Sequence, residues 1–211
     1  MIVDNFDLIK KYVMEHTVPS EENFYFCQIM QRKKDFDKTN CQFTGNNRIL
    51  KTYYIRRQDW FDYKKDEVVN FCKLNNARAM ININPKSMQR LTLEILKQAA
   101  QIAWDNNYSG ILKVVDSSAG QLGATENKVW IIDIDNCDVP ESEFKKQFTE
   151  QIDFINNLEP EGEKCKLLVP TKSGYHLICS PFNLQKFRKK YVNIDVHKNN
   201  PTLLYLNNEN F

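Results

Sequence analysis

No apolar run in this sequence approaches the roughly 20 residues that a membrane-spanning helix needs, so no transmembrane helix is expected. The N-terminus, Met1-Ile2-Val3-Asp4-Asn5, is acidic rather than basic and leads into an amphipathic pattern, which is not how a signal peptide begins. Six cysteines, at 27, 41, 72, 137, 165 and 179, include no CxxC pair, which argues against a zinc knuckle or a redox dithiol. Without a secretory signal they read as reduced thiols, and the expected location is the cytoplasm. There is also no internal repeat and no linker rich in Gly or Ser. A solenoid or a string of tethered domains is therefore not expected.

What is present is ordinary for a globular protein: 211 residues, 42% hydrophobic and 27% charged, enough chain to bury a core without disulfides or metals. The net charge of +2 says little about partners, but its distribution says more. Residues 31–57 carry eight Lys/Arg against two acids, 133–163 carry ten acids against two Lys, and 164–198 carry eight basic residues against Asp195 alone. A carboxylate-rich block between basic blocks suits a site that gathers metal ions and a polyanion, although solvated faces would read the same way.

The periodicity predicts helices over 5–16 (capped by Asp4 or Asn5), 59–75, Ser87 to about Asp105, and Glu141 to about Leu158 after Pro140, with a short basic helix over 183–190. Strands are predicted over 24–30 and 49–56 as a basic hairpin ending in Arg56 and Arg57. Others fall at 77–83 (ended by Pro85), 129–135, 165–169, 175–179, 193–196 and 202–206. The long helix from Ser87 shows the stripe Leu91, Ile95, Ala99 and Ile102. Residues 108–128, with Gly110, Gly120 and Gly123, read as a short helix and a flexible loop. The simplest organisation is one α+β unit in two lobes, with a weak seam near 108–128.

The most informative stretch is Val129-Trp130-Ile131-Ile132-Asp133-Ile134-Asp135. Alternate side chains of a strand share a face, so Asp133 and Asp135 point one way while Ile132 and Ile134 point the other. Paired carboxylates repel unless a cation or a proton lies between them, which makes the pair a candidate metal site. An edge strand with two solvated aspartates is the alternative. Downstream, Ser173-Gly174-Tyr175-His176 forms a turn entering a strand, where a histidine beside Lys172 can donate to a phosphate oxygen. Asn193-Ile194-Asp195-Val196 then places a single acid on a further strand.

The order of these three elements resembles the archaeo-eukaryotic primase superfamily, whose motifs are a hydrophobic strand ending in Asp-x-Asp, a small-x-His strand and a hydrophobic-Asp strand. The match covers roughly residues 129–206, and small phage-encoded primase-like proteins have a similar pattern. It departs from the family in lacking a cysteine/histidine zinc cluster and room for a C-terminal helical domain. The resemblance implies a two-lobed primase-like fold, with an N-terminal α/β lobe over 1–107 and an RRM-like antiparallel or mixed sheet over 129–211. It implies a template-directed primase or primase-polymerase. Asp133, Asp135 and Asp195 would be catalytic and would hold two Mg²⁺ or Mn²⁺ ions about 4 Å apart. Ser173, His176 and Lys172 would hold the nucleoside triphosphate. Arg56, Arg57 and Arg78 are candidates for contacts to single-stranded DNA or another template, with Trp60, Tyr53 and Tyr54 as stacking candidates, at least two of them expected in the core. His16 and His197 read as structural. The expected partners are a nucleic-acid template, nucleoside triphosphates and a helicase or other replication protein, with no membrane. Two alternatives from other classes are a degenerate primase-fold module that binds nucleic acid without catalysis, and a metal-dependent nuclease.

Overall fold

The computed structural model describes residues 2–36, 44–124, 127–135 and 141–207; Pro140, Cys41 and Cys137 lie outside the described residues. Two antiparallel sheets carry the chain. The first consists of β1 (Ile2–Asp4), β2 (Asn23–Arg32), β3 (Asn47–Ile55), β4 (Arg78–Ser87) and β9 (Thr202–Asn207), in the order β1-β9-β4-β2-β3. The second consists of β5 (Trp130–Asp135), β6 (Cys165–Pro170), β7 (Gly174–Cys179) and β8 (Asp195–His197), in the order β6-β7-β5-β8. Among the described helices are α1 (Phe6–His16), α2 (Trp60–Tyr63), α3 (Lys65–Leu74), α4 (Met88–Trp104), α5 (Val114–Gln121), α6 (Glu141–Asn156) and α7 (Leu184–Lys190). The protein is thus α+β, and no helix among the described residues is long and apolar enough to cross a membrane.

The second sheet is built in the chain order β5-α6-β6-β7-α7-β8, the split β-α-β arrangement in which both helices cover one face. Ile132 and Ile134 of β5, Leu177 of β7, Ile155 of α6 and Phe187 of α7 form that covered side. Val129, Ile131, Val169 and Ile178 point to the other side, into the cluster formed with the first sheet and α1 to α3. Two buried asparagines, Asn84 and Asn5, tie the first sheet to the second, and a third, Asn82, ties β4 to the connection between β8 and β9. Asn84 exchanges two hydrogen bonds with the backbone of Val129 (2.8 and 2.9 Å), Asn82 donates to the carbonyl of Asn199 (2.8 Å), and Asn5 donates to the carbonyls of Pro170 and Leu203 (both 2.9 Å). Each leaves a costly orphan if cut, about 1–3 kcal/mol.

Several sequence-based expectations change. Pro85 does not end β4, which runs on to Ser87. The register between β2 and β4 shifts between Phe24 and Phe26, and in that bulge the missing N–H of Pro85 costs no ladder bond. The helix expected over 59–75 is two helices meeting at Lys64. The C-terminal strand β9 lies between β1 and β4 in the first sheet, so the described strands from residue 130 onward are divided between the two sheets. Of the two capping candidates expected for α1, Asp4 accepts from the first-turn amide of Phe6 (3.0 Å), while the Asn5 amide donates to Pro170 of the second sheet and Leu203 of the first.

At the start of α3, Glu67 gathers Lys51 (2.7 Å), Lys64 (2.5 Å) and the Tyr53 hydroxyl (2.7 Å). Bonds from Lys51, Lys64 and Tyr53 hold its carboxyl down at about 2. A carboxylate whose folded pKa lies below its unfolded value of about 4.3 stabilises the fold above that value and loses the contribution as pH falls through 2. The side chain is 36% exposed, so solvent screening reduces the contribution to about 1 kcal/mol. Glu67→Gln should therefore destabilise the protein in urea at neutral pH, and the gap from wild type should close between about pH 4.5 and pH 2.

Candidate active site between the two sheets

The face of the second sheet not covered by α6 and α7 carries the candidate residues. Along β5 that face reads Ile131, Asp133, Asp135, and it opens from the buried Ile131 to the exposed Asp135. Strand register does the rest. Asp133 lies directly opposite His176 of β7 on one side and Asp195 of β8 on the other. Residues directly opposite across an antiparallel pair project to the same face. His176, Asp133 and Asp195 therefore form one row, with Asp135 beside it opposite Gly174. The turn between β6 and β7 adds Lys172 and Ser173, whose hydroxyl points at Asp135 Oδ1 from 3.4 Å.

His176 is the most constrained member. Its ring is 13% exposed, with Nε2 3.5 Å from Asp133 Oδ1 and Nδ1 2.8 Å from the hydroxyl of Thr202 on β9. Burial lowers its pKa below the ordinary value; Asp133 and Asp135 oppose this, while His197 and Arg32 reinforce it. The neutral tautomer that satisfies both neighbours carries its proton on Nε2, facing Asp133, and accepts at Nδ1 from Thr202. Thr202 is fully buried, so the first sheet fixes the orientation of a ring belonging to the second.

Lys172 is tied into the first sheet as well. Its Nζ lies 3.9 Å from Asp35 Oδ1, and Asp35 is gripped through both oxygens by Arg78 Nη2 at 2.5 Å. Arg78 is 5% exposed. Expected as a nucleic-acid contact, it is instead a buried partner of Asp35 that helps set the position of Lys172. Arg56 and Arg57 are not part of this site. They follow the end of β3, where Arg56 pairs with Glu21 and Arg57 with Asp59, beside a hollow lined by Tyr54, Trp60, Tyr63 and Lys64. By register Arg56 is about six residues further along the sheet than Arg78, on the order of 20 Å. Trp60 and Tyr53 are core residues, and Tyr54 bonds Asp116. His16 stacks on Tyr12 and bonds its carbonyl, a structural role as expected.

The donor set suits a hard cation. Among the described residues no Lys or Arg forms an ion pair with Asp133, Asp135 or Asp195, although all three carboxylates share one face. No three His, Cys, Asp or Glu side chains among the described residues close on one point as a preformed cage. Asp133 and Asp135 stand roughly 6.6 Å apart along the strand, an open arrangement. Mg²⁺ is commonly held by one or two carboxylates with its other positions left to water and substrate phosphates, so an open row fits it better than a closed cage would. Asp35 and Thr202 were not anticipated from sequence. The only signal was an acid closing the basic run Arg32-Lys33-Lys34, and nothing marked Thr202. Compared with protein-family models, curated proteins and solved structures, the chain matches none.

Proposed function

We propose that this protein is a metal-dependent nucleotidyltransferase of the primase or primase-polymerase kind, acting with nucleoside triphosphates on a nucleic-acid template. The observation that carries the reading is the row His176–Asp133–Asp195, with Asp135 beside it, on the one face of a split β-α-β sheet that its own helices leave uncovered. Three short motifs separated by up to 60 residues in sequence meet in adjacent strands with their side chains on the same side. A solvated edge strand gives no reason for that coincidence: β5 is a central strand.

In this reading Asp133, Asp135 and Asp195 hold Mg²⁺ or Mn²⁺; the chemistry so supplied is a lowered pKa for the attacking 3′-hydroxyl and neutralisation of the departing pyrophosphate. Lys172, steadied by Asp35, and the Ser173 hydroxyl bind phosphate oxygens at the mouth of the turn. His176, held by Thr202, presents a neutral N–H donor toward the same space. The tie between His176 and Thr202 and the buried Asn5 and Asn84 keep the two sheets in one geometry, so the donors are set before substrate arrives.

The open spacing of the carboxylates favours one second reading: a module of the same fold that binds nucleic acid or a replication partner without catalysis. A single assay separates these and the nuclease. The protein is incubated with Mn²⁺ and an end-labelled template, with and without nucleoside triphosphates. Extension or new short products only with triphosphates supports the proposal. Nucleotide release without triphosphates makes it a nuclease, and retention of the template without either product makes it a binding module.

A further inference from the structure

The cysteines form no CxxC pair in sequence, yet the fold brings two of them together. Cys165 opens β6 and Cys179 ends β7, and the two lie directly opposite each other across that antiparallel pair. Their Sγ atoms are 3.3 Å apart, with the Cys179 thiol donating to the Cys165 sulfur. Both residues belong to the apolar cluster under α6 and α7. Cys179 is three residues beyond His176 on one strand, so it projects to the face away from the carboxylate row. The two thiols are unlike. Cys179 is fully buried, whereas Cys165 is half-exposed on β6, an edge strand of its sheet. Accepting from Cys179 holds the Cys165 thiol below its ordinary pKa, aided by Lys164 and opposed by burial and Glu163. The same bond, with burial, pushes Cys179 up. Cys165 is therefore the nucleophile of the pair and Cys179 its proton donor. Cys27 and Cys72 differ from both: they are buried in the larger core, and burial pushes their thiols up, that of Cys72 to about 12.

We propose that Cys165 and Cys179 are an oxidation site, at which a hydroperoxide converts the two thiols to a disulfide that staples the β6–β7 hairpin. The Cys165 thiolate attacks one peroxide oxygen and the O–O bond breaks. The departing hydroxide or alkoxide takes up a proton, and Cys165 is left as a sulfenic acid. The Cys179 sulfur then attacks the Cys165 sulfur, the S–O bond breaks, and the hydroxyl leaves as water with the Cys179 proton. Two electrons pass from the two thiols to the peroxide, which ends as water and an alcohol, or as two waters from hydrogen peroxide. Directly opposed residues of an antiparallel pair have Cα atoms about 4.5–5.5 Å apart, inside the span of a disulfide, so side-chain rotation suffices to close the bond. The bridge encloses residues 166–178, which include Lys172, Ser173 and His176. Closing a loop of that size restricts the unfolded chain and so favours the folded hairpin. Because the sulfurs lie on the helix-covered face, the site stands whether or not the other face binds a metal.

Peptide mapping of the full chain tests this. The protein is reduced, freed of reductant, treated with hydrogen peroxide, alkylated and mapped by mass without further reduction. Cys165 should be found joined to Cys179 in wild type, and Cys165→Ser should abolish that bridge. Cys179→Ala removes the second thiol, so the sulfenic acid should persist and dimedone should label Cys165 about tenfold more than in wild type. Oxidised wild type should melt roughly 5 °C above reduced wild type. A wild-type map with both cysteines still alkylated overturns the proposal, as does Cys165 joined to Cys41 or Cys137 instead. No dimedone adduct at Cys165 in Cys179→Ala overturns its role as the attacking thiol, and bridged protein that melts no higher than reduced protein overturns the staple.

Discussion

Replacing Asp133 by asparagine is expected to cut Mn²⁺-dependent nucleotide incorporation about a thousandfold, equivalent to about 4 kcal/mol of transition-state stabilisation, without lowering the stability of the folded protein. The two halves of that expectation have one cause. Asp133 stands in the centre of the row, with Asp195 opposite and Asp135 two residues on, so removing its charge relieves repulsion in the empty protein. The asparagine keeps the side chain's size and an oxygen that can still accept from His176 Nε2, so the ring keeps its orientation. A residue that served only to hold the strand would behave the other way, losing stability with little effect on chemistry. Thermal melting of Asp133→Asn beside wild type, with incorporation measured on the same samples, separates the two. Loss of activity with an unchanged or raised melting temperature is the predicted pattern.

Arg78→Ala is expected to be the most destabilising single substitution near the site, costing about 3–5 kcal/mol. Arg78 and Asp35 have side chains only 6% and 7% exposed, and burial already pulls the arginine's pKa below its ordinary value. Taking the arginine away leaves a buried carboxylate whose one remaining cation among the described residues is Lys172, 3.9 Å off. Replacing both members with leucine should recover most of the loss, since a buried ion pair offsets little more than its own desolvation. Guanidinium denaturation of the single and double variants measures this. If Arg78 were instead a contact to the nucleic-acid backbone, Arg78→Ala would leave stability unchanged and weaken template binding.

The difference between Arg78 and Asp133 shows what was legible in the sequence. Period-two alternation in β5 put the two aspartates on one face because a strand has no other option, and the order of three motifs suggested that they meet. The register that makes Asp133 the neighbour of both His176 and Asp195 is set by pairing across 43 and 62 residues of chain, which no local pattern encodes. Arg78 was misplaced for the same reason: its partner Asp35 is 43 residues away. Thr202 escaped notice because β9 belongs to the sheet opposite the one its neighbours in sequence build. Periodicity in α4 gave the inward stripe, Leu91-Ile95-Ala99-Ile102, but nothing local distinguished it from Leu93 and Leu96, which the structure leaves exposed.

On the proposed function, the Asp133–Asp135–Asp195 end of the second sheet's helix-free face holds a divalent cation together with a triphosphate. Electron paramagnetic resonance of Mn²⁺ titrated into the protein reads that directly, because bound Mn²⁺ loses the free-ion signal. Wild type should remove the signal with a nucleoside triphosphate present beyond what the triphosphate removes alone, and Asp133→Asn combined with Asp135→Asn should not. Equal binding by wild type and the double variant, or none by either, would contradict the account.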